Sequence, residues 1–277
     1  MSAPGRPEGA YRRAQPEGSP LSADDVLQVQ DLRLAFGGIV AVDGVSLSIR
    51  RGEVVGIIGA NGAGKTTFVN MITGWVRPSS GRIALNGRDV AGQSSRAMAR
   101  SGVTRSFQIP QVFAHQSVAQ NMALALGLAD DRIGHLLRPM ATAQRQADVD
   151  ATLARFKLQH WADRLAAELP QGARKLLDIA MALARRPELL LLDEPTSGVP
   201  REEKFALMDQ VLAALAGSTV TVLFVEHDME VVMRHASRVI AFVQGRVIAD
   251  GSCAEVLADA AVREHVIGHG VAVPAIA

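Results

Sequence analysis

The hydrophobic pattern of the chain changes period several times. Leu27, Val29, Leu32 and Leu34 stand among polar neighbours, and Val45, Leu47 and Ile49 alternate with serines. Both stretches predict half-buried strands. Val54-Val-Gly-Ile-Ile58 and Glu188-Leu-Leu-Leu-Leu192 are apolar blocks, the pattern of strands covered on both faces. Thr219–Val225 is a further strand, rich in β-branched residues. Arg82–Leu85 is a short strand closed by Asn86-Gly87, a hairpin-type turn, and Arg238–Val243 with Arg246–Ile248 read as a second hairpin across Gln244-Gly245.

Helical segments separate these strands. One opens behind the Gly-rich turn after Ile58. Ser117–Leu169 is built mostly of helix formers, with an amphipathic helix over Ala143–Phe156. Ala173–Arg186 is a helix stopped by Pro187; Arg201–Ala216 and Ala254–Ile267 are two more. Strands alternating with helices predict an α/β domain, here with a helical subdomain inserted at about 109–176. Residues 1–24, with Pro4, Pro7, Pro16 and Pro20 among glycines, are expected to form a disordered tail. The ordered domain is expected over 25–270, with 271–277 as a second tail, and no internal repeat divides it.

Composition narrows the class by exclusion. Lys+Arg 29 against Asp+Glu 28 leaves a charge of +1, so no basic field argues for a nucleic-acid partner. Aromatics are 4%, too few for a base-stacking surface. The single Cys253 makes neither an intrachain disulfide nor a Cys-rich zinc site. No apolar run approaches the ~18 residues that span a bilayer, and the first residues lack the order of a signal peptide. The expectation is a soluble chain, or one held at a membrane through a partner.

The candidate chemistry begins at Gly59-Ala60-Asn61-Gly62-Ala63-Gly64-Lys65-Thr66, which matches G-x-x-x-x-G-K-[ST]. It follows a buried strand and opens a helix, the placement its mechanism requires. Its glycines let backbone N–H groups face phosphate oxygens, and the helix N-terminus adds the positive end of a dipole. Lys65 supplies charge to the β- and γ-phosphates, the Thr66 hydroxyl suits Mg²⁺, and Thr67 continues the cradle. A second acidic half stands at Asp193-Glu194, at the end of the leucine run. There Asp193 is placed to hold the metal through water and Glu194 to polarise the attacking water.

With both halves in hand, the sequence resembles the nucleotide-binding subunit of an ATP-binding cassette transporter. The resemblance spans about Val26 to Gly268. Gln108, in Thr104-Arg-Ser-Phe-Gln108, resembles the family's glutamine loop, and His227, in Val225-Glu-His-Asp228, its switch histidine. Phe36 stands where the family places an aromatic against adenine. Leu169-Pro170-Gln171-Gly172 stands where the family signature belongs. The wording of Phe36-Gly-Gly-Ile-Val-Ala-Val-Asp43, Arg105-Ser-Phe-Gln108 and Glu226-His-Asp-Met-Glu-Val-Val232 is similar to the ATPases of branched-chain amino acid uptake, whose relatives serve urea and short amides.

The resemblance implies a P-loop NTPase cassette with a RecA-like core, an antiparallel β subdomain and a helical subdomain. It implies ATP and Mg²⁺ as cofactors, with Glu194, His227 and Gln108 catalytic and Thr66, Gln108 and Asp193 around the metal. It implies a second cassette, whose Pro170, Gln171 and Gly172 close the site, two transmembrane permease subunits, and a solute-binding protein indirectly. It places the chain on the cytoplasmic face of the inner membrane. Ile109, Val112 and Phe113 fall where a permease would dock, or in the subdomain core. Two departures stand out: Pro170 replaces the signature serine, removing hydroxyl and N–H, and Pro200 takes the place of an interface aspartate. Open alternatives are a cassette ATPase uncoupled from transport and a degenerate cassette in a heterodimer. A P-loop kinase or GTPase is the remaining rival, although no Asn-Lys-x-Asp guanine reader is present.

Overall fold

The computed structural model describes residues 24–129 and 142–267. The expected terminal tails fall almost wholly outside these residues, as does part of the expected helical insertion.

The first sheet is built by hairpins. β1 (Asp25–Phe36) and β2 (Ile39–Arg50) pair antiparallel; Gln30, Asp31 and Arg33 face outward, whereas Asp25 and Gln28 are buried and hydrogen-bonded to each other (3.1 Å). After β3 (Val54–Gly59) and α1 (Lys65–Ile72), β4 (Ser80–Leu85) returns to pair with β1, and β5 (Arg88–Asp89) closes the sheet in the order β2-β1-β4-β5. The expected turn is present: Asn86 and Gly87 take positive φ of 49° and 75°, as a two-residue hairpin turn requires.

The second sheet carries the site. α2 (Ser95–Arg100) leads to β6 (Val103–Ser106); α3 (Val118–Ala129), α4 (Ala143–Arg155) and α5 (Gln171–Leu183) then precede β7 (Leu189–Asp193). α6 (Arg201–Leu215), β8 (Thr221–Val225), α7 (Met229–His235), β9 (Arg238–Val243) and β10 (Arg246–Gly251) complete it. The strand order is β10-β9-β3-β8-β7-β6, with β3, β6, β7, β8 and β9 parallel and β10 an antiparallel edge. The chain runs outward from β3 on one side, returns, and crosses to β9 on the other, so a crevice opens beyond the carboxyl ends of the central strands.

Two hydrophobic cores lie on its faces. Leu190, Leu192, Val222 and Phe224 turn to a core shared with α3–α7, including Phe156 and Met208. Leu189, Leu191, Leu223 and Val225 turn to the other, shared with β1, β2, β4 and α1, including Phe68 and Ile83. Alternation within runs that look uniformly apolar is how one strand fills two cores.

Several elements differ from the sequence reading. α5 begins at Gln171 with Pro170 at its N-cap (φ −53°, ψ 154°) and ends at Leu183, ahead of Pro187. The single helix expected over Ala254–Ile267 is broken. α8 (Cys253–Ala258) is followed by Asp259 in an extended conformation, whose side chain caps a new start at Ala260–Val262, and a π-helical turn spans Arg263–Ile267. α2, α7 and β6 are short elements without a strong period, which the hydrophobic pattern does not mark.

Candidate active site

β3, an interior strand, ends on Gly59, and the loop 59–64 follows its carboxyl end before α1 begins at Lys65. Gly62 and Gly64 take φ of +79° and +98°, which favour glycine. A Cβ on Gly64 would meet Ala41 O at 2.5 Å. The loop is also held from β9–β10: Gly245 N donates to Ala63 O (2.9 Å), and Gly245 O accepts from Asp43 N (2.8 Å). Gly64 offers no side-chain cap to α1, so the first N–H groups of that helix face the loop, the arrangement that takes an anion. Lys65 is buried and donates to Gly59 O (2.7 Å) and Ala60 O (3.0 Å). Burial pushes its pKa down, against the pull of Glu194 and Asp193.

The carboxyl ends of β6, β7 and β8 bring the other candidates to this loop. Glu194 follows β7 with φ +48°. Its Oε2 accepts from Gln108 Nε2 (2.5 Å), and its Oε1 accepts from His227 Nε2 (2.9 Å). A cavity of about 170 Å³ is lined by Asn61 through Thr67, Ala41, Glu194 and His227. The phosphate loop, the glutamate, the histidine and the glutamine therefore share one site.

Asp193 is buried beside it, its Oδ2 paired with Arg105 Nη2 and its Oδ1 outside that pair. Arg105 also donates Nη1 to Asn70 Oδ1 on α1 (2.6 Å), and its guanidinium lies 5.0 Å from the centre of the Phe107 ring. Glu226 is buried and organises the next turn: its Oε1 accepts from Thr196 N (2.9 Å) and Oγ1 (2.6 Å), and its Oε2 from His227 N (3.1 Å).

Other predicted residues lie elsewhere. Pro170, Gln171 and Gly172 open α5 and do not line the phosphate cavity. Gln171 Nε2 donates to Ser197 O (3.4 Å), and Gly172 borders a separate cavity of about 320 Å³ with Val199 and Leu207. Phe36 ends β1, 54% exposed, outside the cavity lining. Ile109 and Phe113 are exposed, 74% and 51%, whereas Val112 packs against the core of the helical face.

Sequence reasoning missed Arg105, Lys175, Asp178 and Glu226. The signal available was charge inside apolar context, as in Lys175-Leu-Leu-Asp178-Ile-Ala, where a charged residue is ordinarily read as a solvent face.

The Mg²⁺ donors fit in kind. Thr66 offers a hydroxyl, Gln108 an amide oxygen and Asp193 the carboxylate oxygen that Arg105 leaves, all hard oxygen donors. Among the described residues no group of three or more His, Cys, Asp or Glu side chains is placed to hold a metal ion.

Loop, buried lysine, acidic strand end and crevice define a P-loop nucleotide hydrolase. The ABC transporter family model matches residues 42–197, and the chain belongs to that family as one of its ATP-binding, ATP-hydrolysing cassettes. The high-affinity branched-chain amino acid transport ATP-binding protein LivG of Salmonella typhimurium is 38% identical over 239 residues, 83% of this chain and 93% of that one. The corresponding protein BraF of Pseudomonas aeruginosa is 35% identical over 233 residues, 82% and 91% of the two chains. A solved nucleotide-free ATP-binding cassette from an ABC transporter is 29% identical with a TM-score of 0.76, covering 87% of this chain and 98% of that chain. A cassette in its ADP conformation matches with the same identity and score over 86% and 96%. No helix among the described residues is long and apolar enough to cross a membrane.

Proposed function

We propose that this cassette drives uptake of branched-chain amino acids, or of related small solutes such as urea and short amides, at the cytoplasmic face of the inner membrane. The similarity to LivG and BraF supports the solute class. In this reading two transmembrane permease subunits and a second cassette, a copy or a paralogue, complete the machine, and a solute-binding protein delivers the solute. In this reading the nucleotide-binding domain spans 25–270.

The observation that carries the chemistry is the bracing of Glu194 by Gln108 and His227 above the phosphate loop. The loop N–H groups and Lys65 hold the phosphates of ATP, and Phe36 offers its ring face to adenine. Glu194 orients the attacking water and takes its proton as the water oxygen bonds to the γ-phosphorus and the bond to the β–γ bridging oxygen breaks, releasing ADP and phosphate. Gln108 and His227 each take one acceptor site of the carboxylate, and its remaining lone pairs are left to accept from the water. Mg²⁺, bound through Thr66, Gln108 and Asp193, would neutralise charge building on the phosphates. The Gln171–Gly172 segment of the second cassette closes the site across the interface. Pro170 brings no hydroxyl there, which favours a heterodimer with two unequal sites as a second reading.

The test is Glu194→Gln. MgATP binding is retained and hydrolysis falls by about 10²–10⁴, the range of a lost general base. Turnover near that of the unaltered protein would remove Glu194 from this role. Co-purifying permease subunits, and solute uptake that depends on them, test the transport assignment.

A further inference from the structure

α5 carries two buried charges three residues apart, Lys175 and Asp178, and the hydrolytic scheme above uses neither. Asp178 faces the glutamine segment. Its Oδ2 accepts from Ser106 Oγ (2.5 Å), its Oδ1 from Gln111 N (2.8 Å), and the Phe107 N–H donates to it as well. These donors flank Gln108 on both sides. Burial pushes the Asp178 carboxyl pKa up, while the three hydrogen bonds and Lys175 pull against it. Lys175 Nζ in turn donates to Glu194 O (2.6 Å), at the residue with φ +48°. A helix that only packed would place apolar side chains at both positions, since a buried charge costs stability unless it is fully partnered.

We propose that Asp178 is a positioning residue for Gln108, and that Lys175 does the same for the backbone of Glu194. α5 thereby grips both members of the Gln108–Glu194 pair, and this helix, which opens at Gln171, sets the distance between them. Asp178 touches no reacting atom; it acts through Gln108. The inference rests on the hydrolytic role given above to Gln108 and Glu194.

The experiment uses the full chain with Asp178→Asn, Gln108→Ala, the double variant, and Glu194→Gln as reference. Asp178→Asn is expected to lower kcat at least tenfold and to change the KM for MgATP less than twofold. Amide hydrogen exchange at Gln111 accelerates at least tenfold. Combined with Gln108→Ala, Asp178→Asn lowers kcat by less than a further factor of two, because its route to the chemistry is already cut. Full multiplication of the two losses, an unchanged kcat in Asp178→Asn, or unaltered exchange at Gln111 would overturn the proposal. If Asp178→Asn does not fold, Ser106→Ala removes one donor and leaves the carboxylate. The same pattern is then expected at about threefold, and no change in kcat overturns the proposal. Undiminished turnover in Glu194→Gln would instead strike the hydrolytic reading on which the proposal rests.

Discussion

Replacing Gly64 by alanine should cost far more than the same change at Gly62, two residues away in the same loop. Both glycines take positive φ, +79° at Gly62 and +98° at Gly64. An L-residue held there costs about 1–2 kcal/mol through the approach of its Cβ to the backbone. At Gly62 that is the whole cost, since no heavy atom lies within 4 Å of the added carbon. At Gly64 the carbon would sit 2.5 Å from Ala41 O and 3.1 Å from Gly245 Cα, both backbone atoms. An ordinary contact needs roughly 1 Å more, so β2 or the β9–β10 turn must shift, and such overpacking adds about 1–3 kcal/mol. The difference between the variants is then about 1–3 kcal/mol, or roughly 2–12 °C in Tm for a domain of this size. Thermal and urea unfolding of the nucleotide-free protein measure it. Equal losses in the two variants, or a Gly64→Ala protein as stable as the unaltered one, would refute the argument that backbone approach holds this loop.

Two further outcomes follow from buried charge. Arg105→Met leaves Asp193 buried without its cation and should cost about 3–5 kcal/mol in urea denaturation, because the stranded carboxylate keeps its desolvation penalty; a loss below 1 kcal/mol would contradict the pairing. For Lys65 the folded pKa lies below the ordinary 10.5, so between the two values the unfolded chain holds more protons. Native stability therefore rises with pH through that window. Lys65→Met lacks this contribution, so the stability of the unaltered protein should gain on that of the variant as pH approaches 10.5; a gap independent of pH would refute the sign.

The architecture, the phosphate loop and the acidic pair are readable in the sequence because each is written in a short local pattern. The phosphate loop declares itself through three glycines and a lysine at fixed spacing. The acidic pair declares itself by ending a leucine run. What brings Gln108 and His227 onto Glu194 is not local: three strand ends must come together through sheet order, and only the family resemblance pointed there. The break at Asp259 was hidden because Ala254–Ile267 is rich in helix formers, while the side-chain cap that restarts the helix depends on one extended residue. Lys175 and Asp178 were hidden because their burial comes from segments distant in the chain.

The leucine run of β7 has a consequence for how this fold stores information. Leu189 and Leu191 enter one core, and Leu190 and Leu192 the other. A slip of one residue would exchange the pairs and bury the same carbon, so hydrophobicity places the strand in the sheet but leaves its register undetermined. The unequal residues sit at the two ends. Glu188 is tied to Arg51 (2.7 Å) and Asn86 (2.9 Å), and Asp193 to Arg105. A slip would break all three ties and carry Glu194 away from the phosphate loop. The polar ends thus act as the index marks of an otherwise unmarked ruler, and the alignment of the acidic pair is encoded at residues that contribute little to the bulk of either core.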